Sequence, residues 1–332
     1  MNKKNIITSV LSLILIVLLI VFVVQQSDKQ AIKNSASLRL SWIPSASFTG
    51  DIAGVTKFAE KNNLNLQVEF GGPGINPIQL VAGGTDTFGW AGADEVLVAN
   101  EKGADLVIIG LIHYNPPVGF VSLLEKNINT PQDFEGKKVG ILPFGNSTMI
   151  YEIMLAQNKV DRKTIDEITI SSDLKPFLSN NYDIHPVFVY DETVDLDKKN
   201  IAYKLVKPED FGVDHIKGYV YFTKRSTIEE NPQMVEDFVN VMADGWNYAI
   251  ANQEDALVML KNFAPEIDID RERQVLARAI PYFTAYNNQA LNSDLATWTD
   301  MVNELKTLEV LKQDVDLNKV LQLQFINKYY EQ

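Results

Sequence analysis

The sequence runs to 332 residues, enough for two domains of ordinary size, and 46% of them are hydrophobic, so a sizeable core can be buried. A net charge of −13 argues against nucleic acid or an anionic membrane surface as the main partner of the soluble part. The chain has no cysteine, which excludes disulfides, thiolate metal sites and a lipid-modified cysteine behind the N-terminal segment.

Lys3 and Lys4 precede an uncharged apolar run over residues 6–24, which matches the ~20 residues that span a bilayer. Residues 1–25 therefore read as a signal-anchor, a transmembrane helix with its lysine-bearing end in the cytoplasm. A long cleaved signal is the alternative, with "NSAS" at 34–37 as a weak cleavage site. Residues 26–36 are polar and read as a linker. Strand and helix patterns then alternate. Strands are expected at 37–42, 65–70 and 85–90, a helix at 51–63, and a glycine-proline turn with a short helix at 71–84. A helix at 94–103 ends on Gly103, a C-cap position. The nearly all-apolar run 105–112 reads as a parallel strand covered on both faces.

The pattern restarts with strands at 119–124, 137–142, 166–170, 185–190 and 218–225, a capped helical turn at 130–136 and a helix at 146–158. Helices follow at 232–251, 253–263, 269–280, 293–311 and 316–329, with Pro232 in a first turn and Ser293 before an amphipathic run. This order predicts an α/β fold of two lobes: residues 37–118 plus 221–332 form one, and 119–220 the other. Two crossover strands make the hinge, and helices finish the chain. Ligands of open α/β sheets sit beyond the carboxyl ends of the strands, so "WAGAD" at 90–94 is expected to be a loop facing the cleft.

Four stretches carry a resemblance: "LSWIPSASFTGDIAG" (40–54), "QLVAGGTDTFGWAGADEVLVANEKG" (79–103), "IIGLIHYNPPVGFVSL" (108–123) and "TPQDFEGKKVGI" (130–141). In their order and spacing the chain resembles the substrate-binding proteins of ABC importers in the thiamine-precursor, nitrate and sulfonate group. It is most similar to the branch that binds the pyrimidine precursor of thiamine. The resemblance implies a type II periplasmic-binding fold, a monomer that closes on a small molecule outside the cytoplasm, and permease and ATPase subunits as partners. It implies no cofactor, metal or catalysis. A eukaryotic branch of the superfamily is enzymatic, but it looks for a cysteine-rich iron site and a lysine and a histidine in the early helices. Here there is no cysteine and no histidine before His113. A membrane-tethered sensor and a receptor for riboflavin or a small anion stay open as alternatives.

Candidate site residues follow. Trp42 ends the first strand, where the family places a ring to stack on the ligand; a core tryptophan at the lobe edge is the other reading. Phe48, Thr49 and Gly50 could offer backbone N–H groups at a helix start. Trp90 lies within a strand, where core packing is the stronger reading and ligand contact the other. Asp94 matches an acidic position of the pyrimidine-binding branch and could accept from an exocyclic amine, or simply cap a helix. Glu95 reads as solvated. Tyr114 and Asn115 could present a ring and an amide. His113, His185 and His215 have no partners at metal spacing. In the second half, Phe144, Asn146 and Ser147 join a strand to a helix, and Tyr190, Asp191 and Glu192 end a strand. The loops bearing these residues contain no Lys or Arg. Anions such as sulfonate usually recruit arginine, although a helix N-terminus alone can hold one. The pattern thus favours a neutral or amine-bearing aromatic ligand such as an aminopyrimidine, with a flavin-like ring still possible.

Overall fold

The computed structural model describes residues 34–143, 145–284 and 286–331. The expected anchor and most of the linker lie outside the described residues. Among the described residues no helix is long and apolar enough to cross a membrane.

Three parallel strands open the first sheet. β1 (Asn34–Arg39) lies between β2 (Leu64–Glu69) and β3 (Phe88–Gly92). β4 (Leu106–Leu111) does not join them directly. The returning strand β10 (Tyr219–Lys224) inserts between β3 and β4 and pairs antiparallel with both, giving the order β2-β1-β3-β10-β4. The expectation of parallel pairing for β4 is therefore corrected. Its run of buried apolar residues reports cover on both faces and says nothing of strand direction. The second half holds an antiparallel sheet, β8 (His185–Phe188), β5 (Val118–Leu123) and β9 (Tyr203–Val206), beside a parallel pair, β6 (Lys138–Ile141) and β7 (Asp166–Thr169). Strand β9 has no counterpart among the expected elements, because Lys204 and a largely half-buried pleat blur its alternation.

Two further boundaries differ from expectation in ways that matter for the site. β3 runs straight into helix α1 (Ala93–Glu101), so "WAGAD" is a strand end and a helix start with no loop between. The helix expected at 51–63 begins at Thr49, loosens into a wider π turn over Gly54–Phe58, and closes in a 3₁₀ turn before Asn63 takes a left-handed φ of 55°. In the second half, helix α2 (Ser147–Gln157) follows β6, and helix α3 (Glu192–Lys198) follows β8.

The C-terminal helices pack against the first sheet. α4 (Pro232–Ala251) starts where Asn231 accepts the Met234 amide at 3.1 Å, and α5 (Gln253–Phe263) follows it. α6 (Ile269–Phe283) continues three residues past its expected end, through Pro281. α7 (Leu295–Thr307) is capped by Asp294, not Ser293, and the last expected helix splits into Leu317–Val320 and Gln324–Tyr330. Phe88 of β3 stacks on Phe238 of α4 with centroids 3.8 Å apart, and Trp246 donates to Tyr221, which donates in turn to Asp51. Burial pushes the Asp51 carboxyl up to about 7, against the pull of the Tyr221 hydrogen bond.

The chain leaves the first sheet after β4 and returns before β10, and the two passages touch. The Gly218 amide donates to the His113 carbonyl at 3.0 Å, and the Gly218 carbonyl accepts from Ala93 at 2.8 Å. A Cβ on Gly218 would sit 2.7 Å from the His113 Cβ and 2.9 Å from the carbonyl oxygens of His113 and Asn115, so only glycine lets the passages approach this closely. Gly218→Ala should therefore cost about 1–3 kcal/mol through overpacking, read as a lower midpoint in urea unfolding. An unchanged midpoint would mean that the passages can part without cost.

Candidate functional site

A cavity of about 690 Å³ lies between the two halves of the molecule. The first half contributes the segment after β1, the 75–78 turn, the end of β3 with the start of α1, and Tyr219 of β10. The second contributes the β6–α2 connection, β8 with the start of α3, and Ser172.

Its wall is aromatic because β3 and β10 place rings side by side in register. Trp90 and Tyr219 stack at 4.2 Å with 27° between their planes, Phe48 meets Trp90 edge-on at 5.2 Å, and Phe188 from the other half lies 5.6 Å from Tyr219. Trp42 also lines the cavity. Beneath this wall His113 stacks on Phe283 and shares a 3.2 Å hydrogen bond with Tyr190. Burial drives the imidazole down to about 3, so it is neutral.

The polar lining gathers around Gly92. A Cβ there would lie 2.4 Å from Asp94 Oδ1, 2.9 Å from Glu95 Oε2 and 2.9 Å from the Asn146 Cβ, so a bare glycine lets these three side chains converge. The Gly92 amide donates to Glu95 Oε2 at 3.0 Å. Asn146 makes no side-chain cap to α2; its Oδ1 accepts from the Tyr219 hydroxyl at 2.9 Å. Among the described residues, three buried groups here lack a hydrogen-bond partner: both Asp94 oxygens, Asn146 Nδ2 and Trp90 Nε1. Buried polar atoms are paired in the great majority of cases, so the two of these that also line the cavity, the N–H donors of Trp90 and Asn146, mark where a ligand's acceptors would go. Burial raises the Asp94 carboxyl well above the carboxylate range, reinforced by the charge of Glu95, and burial raises Glu95 as well.

Across the cavity, Glu192 accepts the Phe188 amide at 2.7 Å. Burial, with the charge of Asp191 beside it, pushes its carboxyl up to about 8. Arg271 of α6 reaches the same wall and is fully engaged. It grips Asp195 through Nε and Nη2, both at 2.9 Å, pairs with Asp191 through Nη2, and donates from Nη1 to Glu272 at 2.7 Å. Glu272 then accepts the Ala46 amide on the segment that follows Trp42.

Seven of the expected site residues line the cavity: Trp42, Phe48, Trp90, Asn146, Ser147, Asp191 and Glu192. The others are placed elsewhere. Thr49 and Gly50 lie under the wall, with the Thr49 hydroxyl bonded to the Ala46 carbonyl and Gly50 pressed on the Trp246 ring. Asp94 sits behind the wall, whereas Glu95, expected to be solvated, is on it. Tyr114 stacks on Tyr286 and lies under Lys217. Asn115 and Tyr190 face a separate cavity of about 540 Å³ with Tyr282 and Arg278. Phe144 lies outside the described residues. Arg271, Asp195 and Tyr219 were not anticipated, while residues 75–78, where the expected glycine-proline turn enters the helix Pro77–Ala82, also line the cavity. The cleft loops do lack Lys and Arg as read, but the guanidinium arrives from a helix far along the chain, so the cavity is not free of cations.

Three comparisons place this geometry among known proteins. The family model described as "NMT1/THI5 like" matches residues 47–256, well over half of the chain. The 4-amino-5-hydroxymethyl-2-methylpyrimidine phosphate synthase of Legionella pneumophila is 20% identical over 302 residues, covering 89% of this chain and 93% of that protein. The formylaminopyrimidine-binding protein of Halalkalibacterium halodurans is 21% identical, covering 87% and 89%. Among solved structures, the alkanesulfonate-binding protein SsuA of Xanthomonas axonopodis pv. citri, bound to MOPS, superposes with a TM-score of 0.68 at 12% identity, over 87% of this chain and 98% of that one. The fold is thus an α/β fold of the periplasmic-binding-protein type.

Two predictions follow from the charged wall. Arg271, 19% exposed, neutralises Asp191, Asp195 and Glu272, so Arg271→Ala should cost about 3 kcal/mol, the lower end of the range for breaking a buried pair, read as a fall in Tm. A Tm within a degree of wild type would show that the cluster holds nothing together. Glu192 keeps its proton to about 8 in the folded state, against an ordinary value near 4.5, so the native state binds more protons between those pH values. Its contribution to stability is full below about 4.5 and is lost as pH rises toward about 8. Melting temperature should therefore fall less steeply over that window in Glu192→Gln than in wild type, and identical slopes would assign the retained proton elsewhere.

Proposed function

The chain belongs to the NMT1/THI5-like family, and from that premise we propose that it is the extracytoplasmic substrate-binding component of an ABC importer. It takes up a flat, amine-bearing heteroaromatic molecule resembling the pyrimidine precursor of thiamine and hands it to a permease and its ATPase. Residues 37–118 with the chain from β10 onward, and the part between them, act as the two lobes, hinged at the touching passages, and residues 1–25 tether the protein to the membrane. The site residues put forward are Trp42, Phe48, Trp90, Asn146, Ser147, Asp191 and Glu192, joined by Glu95 and Tyr219.

The observation that carries this reading is the pairing of an aromatic wall with unpaired polar atoms around Gly92. An aminopyrimidine brings one donor amine and ring-nitrogen acceptors in a single plane. The plane suits stacking, worth about 0.5–1.5 kcal/mol per aromatic pair beyond burial. Carboxyl and amide groups suit its edge. A sulfonate is the less supported occupant, because Arg271 is already held by Asp191, Asp195 and Glu272 and offers an anion no unclaimed fork. The synthase name of one relative is set against a chain that has no cysteine for the iron site of the enzymatic branch.

A thermal-shift panel of aminopyrimidines, thiamine, riboflavin, taurine and nitrate tests the proposal. Aminopyrimidines should raise Tm, as mass action requires for a ligand of the native state. Trp42→Ala should weaken that binding at least tenfold, about 1.4 kcal/mol, while the protein stays folded. A shift with taurine or nitrate alone would overturn the reading in favour of an anion receptor.

A further inference from the structure

The cavity is graded from one end to the other, and its outer end has no role in recognising a small polar ring. The inner end holds Phe48, Trp90, Asn146 and Tyr219, all buried. At the mouth the lining turns apolar and open. Ile43 is 50% exposed and Ile75 41% exposed, two large aliphatic side chains left in water on the rim of one cavity. Pro44 and Ile78 adjoin them, and Leu142 and Pro143 line the same cavity from the other half. The two rim segments lie side by side. The Gly71 amide donates to the Trp42 carbonyl at 3.0 Å, and the Ile43 Cγ2 lies 3.5 Å from where a Cβ on Gly72 would stand.

Volume points the same way. About 690 Å³ is room for roughly twenty water-sized groups and sits in the range of cavities that enclose drug-sized ligands. One substituted pyrimidine fills only part of it. The bonds from Arg271 to Asp191 and Asp195 already tie the two sides together, so this is the volume with the halves joined.

We propose that the mouth is an apolar subsite, and that the ligand has two parts: a polar heteroaromatic ring held at the inner end and a second, apolar or aromatic moiety covering Ile43 and Ile75. The inference rests on the reading of the inner end given above and extends it by naming the class: a heteroaromatic ring bearing a bulky, weakly polar extension. The occupant is the ligand itself, because Ile43 and Ile75 line the same cavity as Phe48, Trp90 and Asn146, together with Leu142 and Pro143 of the other half.

The test uses purified full-length protein and two arms. In the first, calorimetry compares 4-amino-5-hydroxymethyl-2-methylpyrimidine with thiamine, in which a pyrimidine of this type carries a second ring. Thiamine should bind at least roughly tenfold more tightly. The double variant Ile43→Ser/Ile75→Ser should lose about tenfold for thiamine while changing the single ring by less than about twofold. Because thiamine is a cation, the variant arm decides between contact and charge, since serine leaves the carboxylates untouched. The second arm uses N-phenyl-1-naphthylamine, a neutral probe whose fluorescence should rise with wild type and not with the double variant. Both rim side chains are exposed, so an unchanged Tm verifies that the variant is folded. If the single ring binds as tightly as thiamine and the variant affects both or neither, the subsite is overturned and the exposed pair passes to a protein partner. If no pyrimidine binds but the naphthylamine signal still depends on Ile43 and Ile75, the reading of the inner end fails and the apolar mouth stands.

Discussion

One guanidinium ties the site together. Arg271 is a single side chain on α6, yet it is held by carboxylates from two directions: Asp191 and Asp195 at the start of α3, and Glu272 on its own helix. Glu272 passes the constraint on to the Ala46 amide and so to the segment that carries Trp42 and Phe48. Without that cation, burial would leave several carboxyls facing each other with no compensation, the arrangement that costs most in a partly dry interior. With it, the far end of the chain fixes the distance between the two walls of the cavity. Lys198 with Asp268, and Arg278 with Asp197, repeat the lacing along the same pair of helices. These outer pairs are half-exposed and contribute little each, so the position of the walls depends mainly on the less exposed Arg271.

Behind the charged lacing runs an aromatic one. Trp90 packs edge-on to His113 at 5.5 Å, His113 bonds to Tyr190, and Tyr190 meets Tyr282 of α6 at 5.7 Å. His113 belongs to one passage between the halves and bonds to Gly218 of the other. Ring contacts therefore link the cavity wall to the point where the chain crosses. A change of angle between the halves has to repack these rings, and close-packed interiors do so in discrete steps rather than continuously.

How legible was this in the sequence? The helices over 232–251 and 253–263 were readable because Pro232 and an amphipathic period mark them without reference to anything distant. The aromatic and small-residue ends of β1 and β3 were readable as site positions because strand ends in α/β sheets face the ligand. Trp42, Phe48 and Trp90 accordingly reach the cavity. What escaped was decided by contacts far apart in sequence. Strand β4 looks parallel because burial and direction are independent properties, and only the insertion of β10 settles the second. Glu95 looks solvated because first-turn acids commonly are; in the fold it is half-buried on the cavity wall, held by the Gly92 amide, with Asn146 from fifty-one residues on beside Gly92. Arg271 sits in "DRER", a pattern indistinguishable from a solvated helix face until α6 is known to lie beside α3. Thr49 and Gly50 were misplaced for the same reason: the helix start that should have offered its N–H groups is sealed by Trp246 of α4, far along the chain.

The same comparison explains why the inner cavity is costly to maintain. Trp90, Asp94 and Asn146 leave buried polar atoms unpaired, each worth about 1–3 kcal/mol of desolvation, within one small region. A domain of this size is stable by only about 5–15 kcal/mol, so such a debt is a large fraction of the whole. It persists because it is concentrated where Gly92 removes a side chain and where Arg271 and the stacked rings hold the surroundings still. A molecule that satisfies the Trp90 and Asn146 atoms, which line the cavity, recovers that part of the deficit on binding, and does so only if its acceptors lie in the plane the rings define. The strain of the unliganded site and its selectivity are then the same quantity viewed from the two ends of the binding equilibrium.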